Sequence, residues 1–234
     1  MGFPNDLVFP DDDWLDHESW IRYCYQCIGN VNGKQVLDYG CGAGFSTVVL
    51  ARLGAWVSAF DISPQQVALA KKRAEANAVG GSVRIELMAA EQLRYEDSSF
   101  DAVHGNAVLH HVDLSAARAE LHRVMKPGAV AVFAEPLGEN LLLELTRSYL
   151  PYPGKLPRDP KERPLRYSNI AFLAEPFDRV EVKEFQFLSM VGRATGNRPF
   201  VRRLERLDEW LFAAVPASRR FCRYIVIRLQ KGKA

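Results

Sequence analysis

The chain has 234 residues, 48% of them hydrophobic and 25% charged, with a formal net charge of +2. That composition excludes fibrous and disordered classes and leaves enough chain to bury a sizeable core as one domain with embellishments. So small a net charge gives no basis for a nucleic-acid partner, and no run approaches the ~18 apolar residues of a membrane-spanning helix. Cys24, Cys27, Cys41 and Cys222 make no disulfide scaffold at this length, so a reduced, cytoplasmic setting is expected. Met1 to Phe9 carries neither the basic start nor the apolar run of a secretory signal, and none is expected.

In chain order, Asp11-Asp12-Asp13 predicts a helix start, because acids are favoured at helix N-termini. Trp14, Trp20, Ile21, Tyr23 and Ile28 supply its apolar positions and Gly29-Asn30 its end. Cys24 and Cys27 have no second Cys or Cys/His pair at ligand spacing, so a packed helix is expected and no metal site. Next, Val36 to Thr47 reads as a strand that turns sharply into a helix through Gly40, Gly42 and Gly44. Alternating glycines permit positive φ and keep side chains out from between the backbone and a ligand. The helix that follows offers free N–H groups to a carboxylate or phosphate. A dinucleotide fingerprint fails because Phe45 stands where its last glycine belongs, and a P-loop fails because no Gly-Lys-Ser/Thr closes the turn.

Thr47 to Leu53 continues as helix and Gly54 stops it. Trp56 to Phe60 is a second strand with Asp61 at its carboxyl end, ~20 residues beyond the loop, where an acid can take two ribose hydroxyls. Ile62 can then lie on an adenine face. Ser63-Pro64 starts a helix closed by Gly80-Gly81, with Lys71, Lys72 and Arg73 read as a solvated face. Val83, Ile85 and Leu87 alternate with charged residues as a strand that leads into Ala89-Ala90-Glu91.

Phe100 to Val112 is a further strand and turn, and it carries His110 and His111. A histidine can remove a proton from an accepting hydroxyl, amine or acidic carbon. Being adjacent, the two cannot point the same way, and the pattern does not choose between them. His17, His104 and His122 read as structural. Asp113 to Met125 is an amphipathic helix with Leu114, Ala117, Leu121 and Val124 on one face; Lys126-Pro127-Gly128 ends it and Ala129 to Ala134 is the next strand. Four βα units in a row imply a parallel sheet with right-handed crossovers, and ligands bind outside the carboxyl ends of such strands. There Gly40, Asp61, Ala90, Asn106 and Glu135 gather.

Downstream, an apolar helix is expected over Leu141 to Leu150 and a loop over Pro151 to Pro164, with Arg158, Lys161, Arg163 and Arg166 as solvated mixed charge. Val180 to Phe187 and Phe221 to Leu229 read as strands. Between them Arg202 to Phe212 forms an amphipathic helix with Leu204, Leu207, Trp210 and Leu211 along a face, to be met by the sheet, a second copy or lipid.

From about Val36 to Glu135 these motifs, in this order, resemble the class I S-adenosylmethionine-dependent methyltransferases. The carrying residues are the D-x-G-x-G-x-G of Asp38 to Gly44, Asp61 after the second strand, Ala90-Glu91, the strand ending at Asn106, and the Lys126-Pro127-Gly128 junction. Asn106 is followed by Ala107-Val108-Leu109 and not by an Asn-Pro-Pro-Tyr-like segment, which resembles the small-molecule branch with its quinone and natural-product methyltransferases. Ala89 departs from the aspartate that this family often has there.

The resemblance implies an α/β fold: a Rossmann-like, seven-stranded, mostly parallel sheet with an antiparallel C-terminal hairpin and helices on both faces. Residues 1–33 become an N-terminal helical lid and 34–234 the methyltransferase domain, with 135–170 and 189–217 as acceptor-side insertions. S-adenosylmethionine is the implied cofactor and S-adenosylhomocysteine its product, held by Asp38, Gly40, Gly42, Gly44, Asp61, Ile62, Ala90, Glu91 and Asn106. Catalysis falls to His110 or His111. The implied activity is in-line methyl transfer to oxygen, nitrogen or carbon of a small molecule. A non-catalytic cofactor-binding partner module and an aminopropyl transferase on the same scaffold stay open. Expected partners are a small-molecule acceptor, no nucleic acid and no stable membrane insertion, with peripheral contact left open, in a monomer or homodimer.

Overall fold

The computed structural model describes residues 6–140, 143, 163–191 and 198–233. Its strands are β1 (Gln35–Tyr39), β2 (Trp56–Asp61), β3 (Val83–Leu87), β4 (Phe100–Asn106), β5 (Met125–Pro136), β6 (Arg179–Phe185) and β7 (Tyr224–Gln230). They form one seven-stranded sheet in the order β3-β2-β1-β4-β5-β7-β6. Pairing is parallel from β3 through β5, while β7 runs antiparallel to both β5 and β6. The order turns back between β1 and β4, so the chain leaves these neighbours in opposite directions and opens a crevice at their carboxyl ends.

Residues alternate across each strand, so a central strand must bury both faces. Along β1, Val36 joins a cluster with Val48 and Ala70, while Leu37 and Tyr39 join one with Leu121 and Phe133. The first cluster lies under helices α1 (Asp11–Leu15), α2 (Ser19–Ile28), α3 (Phe45–Arg52) and α4 (Pro64–Ala76). The second lies under α5 (Leu114–Val124) and α6 (Tyr167–Ala174). The last helix, α7, spans Arg198–Ala214.

Several boundaries depart from expectation. The single N-terminal helix is broken into α1 and α2, because its two tryptophans are buried at different places. Trp14 stacks on Phe45 at 4.9 Å and Trp20 on Tyr224 at 4.7 Å. On one straight helix these residues would project about 120° apart, and the break at Asp16 to Glu18 releases that constraint. Helix α4 stops before Gly80-Gly81: Asn77 caps it, its Nδ2 donating to the carbonyls of Arg73 and Leu7 at 2.7 Å each. Lys126-Pro127-Gly128 lies inside β5, where pairing with β4 shifts register and Gly128 takes φ +78. Strand β6 ends at Phe185 because Gln186 adopts φ +64, and Pro216–Phe221 forms a 3-10 turn that delays β7 to Tyr224. Helix α6 was not foreseen. The helix expected over Leu141 to Leu150 and most of the loop over Pro151 to Pro164, with Arg158 and Lys161, lie outside the described residues.

Gly44, at φ +82, takes its place because a Cβ there would lie 2.8 Å from Ala70 Cβ and 2.9 Å from Ala70 Cα, where α3 meets α4. Gly44→Ala is therefore expected to cost roughly 2–4 kcal/mol from left-handed strain plus overpacking. At Gly42, φ +50, nothing lies within 4 Å of the added Cβ, and Gly42→Ala is expected to cost about 1 kcal/mol. Denaturant unfolding of both variants checks the difference; equal losses would contradict the packing role of Gly44.

Candidate active site

The loop after β1 is fastened from three sides. Cys41 N–H donates to the Phe60 carbonyl at 2.8 Å, which ties the loop to β2. From α4, the Arg73 guanidinium donates to the Ala43 carbonyl and lies 3.8 Å over the Phe45 ring. Asp61, at the end of β2, accepts Gly42 N–H through Oδ2 and Ser63 N–H through Oδ1, both at 2.9 Å. Each carboxylate oxygen can accept more than one hydrogen bond, and Asp61 is half-buried. Ile62 beside it is 73% exposed, an unusual state for an isoleucine at a strand end. Arg73 corrects the solvated-face reading: it is buried at 2% exposure. Its position beside Val67, Ala70 and Ala74 on the inward face of α4 was the available signal.

Gly40, Gly42 and Gly44 divide their tasks. A Cβ on Gly40 would come within 2.4 Å of Val108 Cγ2, so the loop touches the turn after β4 there, while Gly42 faces open space. Asp38 lies beneath the loop, 2% exposed. Its Oδ2 accepts the Thr47 hydroxyl at 2.5 Å and its Oδ1 lies 3.4 Å from His104 Nδ1, so its contacts pin α3 and β4. Beyond β3, the Ala90 carbonyl accepts the Tyr39 hydroxyl at 3.2 Å, and burial pushes that phenol's pKa up, keeping it a donor. Glu91 Oε1 accepts Asp113 N–H at 2.9 Å. Burial also raises the Cys41 thiol, which makes it a poor nucleophile at neutral pH.

The turn after β4 brings titratable side chains together. Asn106 ends the strand with its side-chain Oδ1 buried and without a hydrogen-bond partner, and Ala107 follows at φ +55. Glu135, near the end of β5 and 0% exposed, reaches across to this turn. Its Oε1 accepts Val108 N–H at 2.9 Å and Leu109 N–H at 2.8 Å, and its Oε2 lies 2.7 Å from His110 Nδ1. An ionised carboxylate only accepts, so this contact requires Nδ1–H and makes Nε2 the basic nitrogen of His110. His111 is exposed, its ring 4.0 Å from that of His110. The structure thus separates two histidines that the sequence left equivalent. Among the described residues, no group of three or more His, Cys, Asp or Glu side chains could hold a metal ion.

Loop, strand-end acid and turn stand at the carboxyl ends of adjacent strands, as in nucleotide-binding α/β proteins. A model of the methyltransferase domain family matches residues 37–133. A demethylmenaquinone methyltransferase from Tropheryma whipplei is 31% identical over 182 residues, 75% of this chain and 72% of that protein. A ubiquinone biosynthesis O-methyltransferase from Methylocella silvestris is 37% identical over 112 residues, 47% of this chain and 43% of its own length. Among solved structures, a SAM-dependent methyltransferase from Methanosarcina mazei matches with TM-score 0.61 and 26% identity, over 89% of this chain and 97% of that one. The chain belongs to the class I S-adenosylmethionine-dependent methyltransferases. It spans about half the length of the first curated relatives it matches.

Nitrogen-15 NMR of histidine-labelled protein reads the tautomer assigned to His110. A protonated Nδ1 and an unprotonated Nε2 are expected at a pH where the ring is neutral. The reverse tautomer would contradict the Glu135 contact.

Proposed function

We propose that the protein transfers a methyl group from S-adenosylmethionine to a hydroxyl of a small-molecule acceptor, with His110 as general base. The observation that carries this reading is the 2.7 Å contact between Glu135 and His110 Nδ1, next to a glycine loop whose Gly42 faces open space. The residues present fit the cofactor. Gly42 leaves a gap that a Cβ would fill, Asp61 has acceptor capacity for ribose hydroxyls, Ile62 offers an exposed apolar face for adenine, and Asn106 Oδ1 is a buried acceptor awaiting a donor.

S-adenosylmethionine, when bound, supplies an electrophilic methyl on a sulfonium and leaves as a neutral thioether. The protein's part is orientation, where alignment is worth ~7–11 kcal/mol, and removal of the acceptor's proton. Asp61 and the backbone from Gly40 to Gly44 hold one reactant, with Ala90 and Glu91 bracing the adenine side. Asp38 holds the loop from below through Thr47. His110 Nε2 takes the acceptor's proton, and Glu135 steadies the imidazolium that results. Residues 6–33 close the cofactor side, where Trp14 stacks on Phe45, and the described parts of 135–170 and 189–217 frame the acceptor side, the remainder of these ranges lying outside the described residues. Oxygen is the favoured acceptor atom because the Penicillium expansum and Methylocella silvestris relatives are named O-methyltransferases.

Two variants test the halves separately. Asp61→Ala is expected to weaken S-adenosylhomocysteine binding roughly a hundredfold, through loss of charged hydrogen bonds. An unchanged affinity in the folded variant contradicts the ribose assignment. His110→Ala and Glu135→Gln are each expected to slow S-adenosylhomocysteine formation on a panel of phenols and hydroquinones by roughly a hundred- to ten-thousand-fold, with cofactor affinity preserved. Rates equal to wild type on an acceptor that the wild type methylates would remove His110 from the chemistry.

A further inference from the structure

Four buried side-chain atoms have no hydrogen-bond partner among the described residues: Arg73 Nε, Tyr95 Oη, Asn106 Oδ1 and Trp20 Nε1. Arg73 serves the glycine loop, Asn106 ends β4, and Tyr95 packs on Phe100 at the other end of that strand. Trp20 is the one of the four set against β7. An indole N–H only donates, and it usually finds a partner when buried. Trp20 is 5% exposed, so its unpaired N–H costs folding free energy that an oxygen on a ligand would offset.

The indole is held in place by its surroundings. Its ring stacks on Tyr224 at 4.7 Å with 4° between the planes. Two residues earlier, Glu18 accepts from Gln186 Nε2 and lies 4.0 Å from Arg223 Nη1, while Arg223 donates to Gln186 Oε1 at 2.8 Å. These contacts set the first turn of α2 over the start of β7 and the residue that follows β6.

Strand register brings this ring close to the residue that orients His110. Between β5 and β7, Glu135 pairs with Ile225 and Pro136 with Tyr224. Glu135 and the tyrosine under the indole are therefore one residue apart on neighbouring strands. Side chains alternate across a sheet, and Phe133 and Leu137 belong to the second cluster while Trp20 and its neighbour Val226 belong to the first. Glu135 and Trp20 thus bracket the carboxyl rim of β5 from opposite faces. The glycine loop follows β1, which is three strand spacings, ~14 Å, from β7. The turn with His110 follows β4, only two spacings away, or about 9.5 Å. The shorter span suits an aromatic ring with a hydroxyl at one end and a second oxygen at the other, each making one hydrogen bond.

We propose that Trp20 Nε1 donates a hydrogen bond to a second oxygen of the acceptor, across the ring from the hydroxyl that His110 deprotonates. Trp20 is then a specificity residue, and the inference rests on the acceptor site proposed at His110. Nε1 is closed to solvent, so the bond forms as the acceptor seats under the first turn of α2.

Isothermal titration with 4-methoxyphenol and 4-ethylphenol, in the presence of S-adenosylhomocysteine, tests this, because the two differ by an ether oxygen in place of a methylene. The wild type is expected to bind 4-methoxyphenol about tenfold more tightly, and Trp20→Phe, which keeps an aromatic ring on Tyr224, to lose that preference. In nitrogen-15-labelled wild type, one indole N–H resonance of the four tryptophans should move downfield with 4-methoxyphenol and stay with 4-ethylphenol, a readout independent of any variant. A folded Trp20→Phe that still prefers 4-methoxyphenol, or indole resonances that respond alike to both phenols, overturns the inference. So does failure of the wild type to bind either phenol. Methyl transfer to both phenols with equal efficiency would remove Trp20 from recognition and leave the proposed function standing, whereas indole-dependent binding without methyl transfer would do the reverse.

Discussion

A wholly buried carboxylate is expensive unless its oxygens are supplied with donors. Glu135 meets that condition with two backbone N–H groups and an imidazole, all from the turn that follows the neighbouring strand. Much else depends on this contact. It draws Val108 and Leu109 toward β5, which sets the turn in which Ala107 adopts positive φ and Val108 comes against Gly40. The same oxygen pair orients His110. One residue therefore joins the register of β4 and β5 to the placement of the glycine loop and to the basic nitrogen of the site. Replacing it with a residue that has no acceptor oxygen for Val108 and Leu109 would unsettle geometry and chemistry together.

Asp61 plays the matching part on the other side of the crevice. By accepting Gly42 N–H it holds open the one glycine of the loop that meets nothing, while Gly40 and Gly44 are held by packing against Val108 and Ala70. Beneath them, Asp38 joins Thr47 of α3 to His104 of β4 through contacts removed from solvent. The loop is thus clamped by Arg73 and Asp61 at its rim and by Asp38 at its root. Preorganisation of this kind is what a reaction limited by alignment requires.

The parts of this architecture legible in the sequence were those written in local chemistry. Positive-φ glycines, an acid at a strand end, apolar alternation and helix caps each report a short-range requirement, and their order along the chain carried the sheet and its ligand end. The parts that stayed hidden depend on partners distant in sequence. His110 and His111 are identical in local terms, and Glu135, 25 residues on, distinguishes them. Arg73 looked like one of three solvated cations until α3 packed against its face of α4. The break between α1 and α2 reflects burial of two tryptophans on Phe45 and Tyr224, which no helical pattern announces. On α7 the apolar positions were visible, but which of them the segments around Phe187 to Ser189 cover was not.

Calorimetric titration of the purified chain with S-adenosylhomocysteine, with NAD as the control, tests the central claim most directly. Saturable binding of the sulfur nucleotide and none of NAD is the predicted result, since the role proposed for Asp61 requires a ribose-bearing ligand and Phe45 stands in the third glycine position of a dinucleotide loop. Well-folded protein that binds neither, or binds NAD as tightly, would contradict the account.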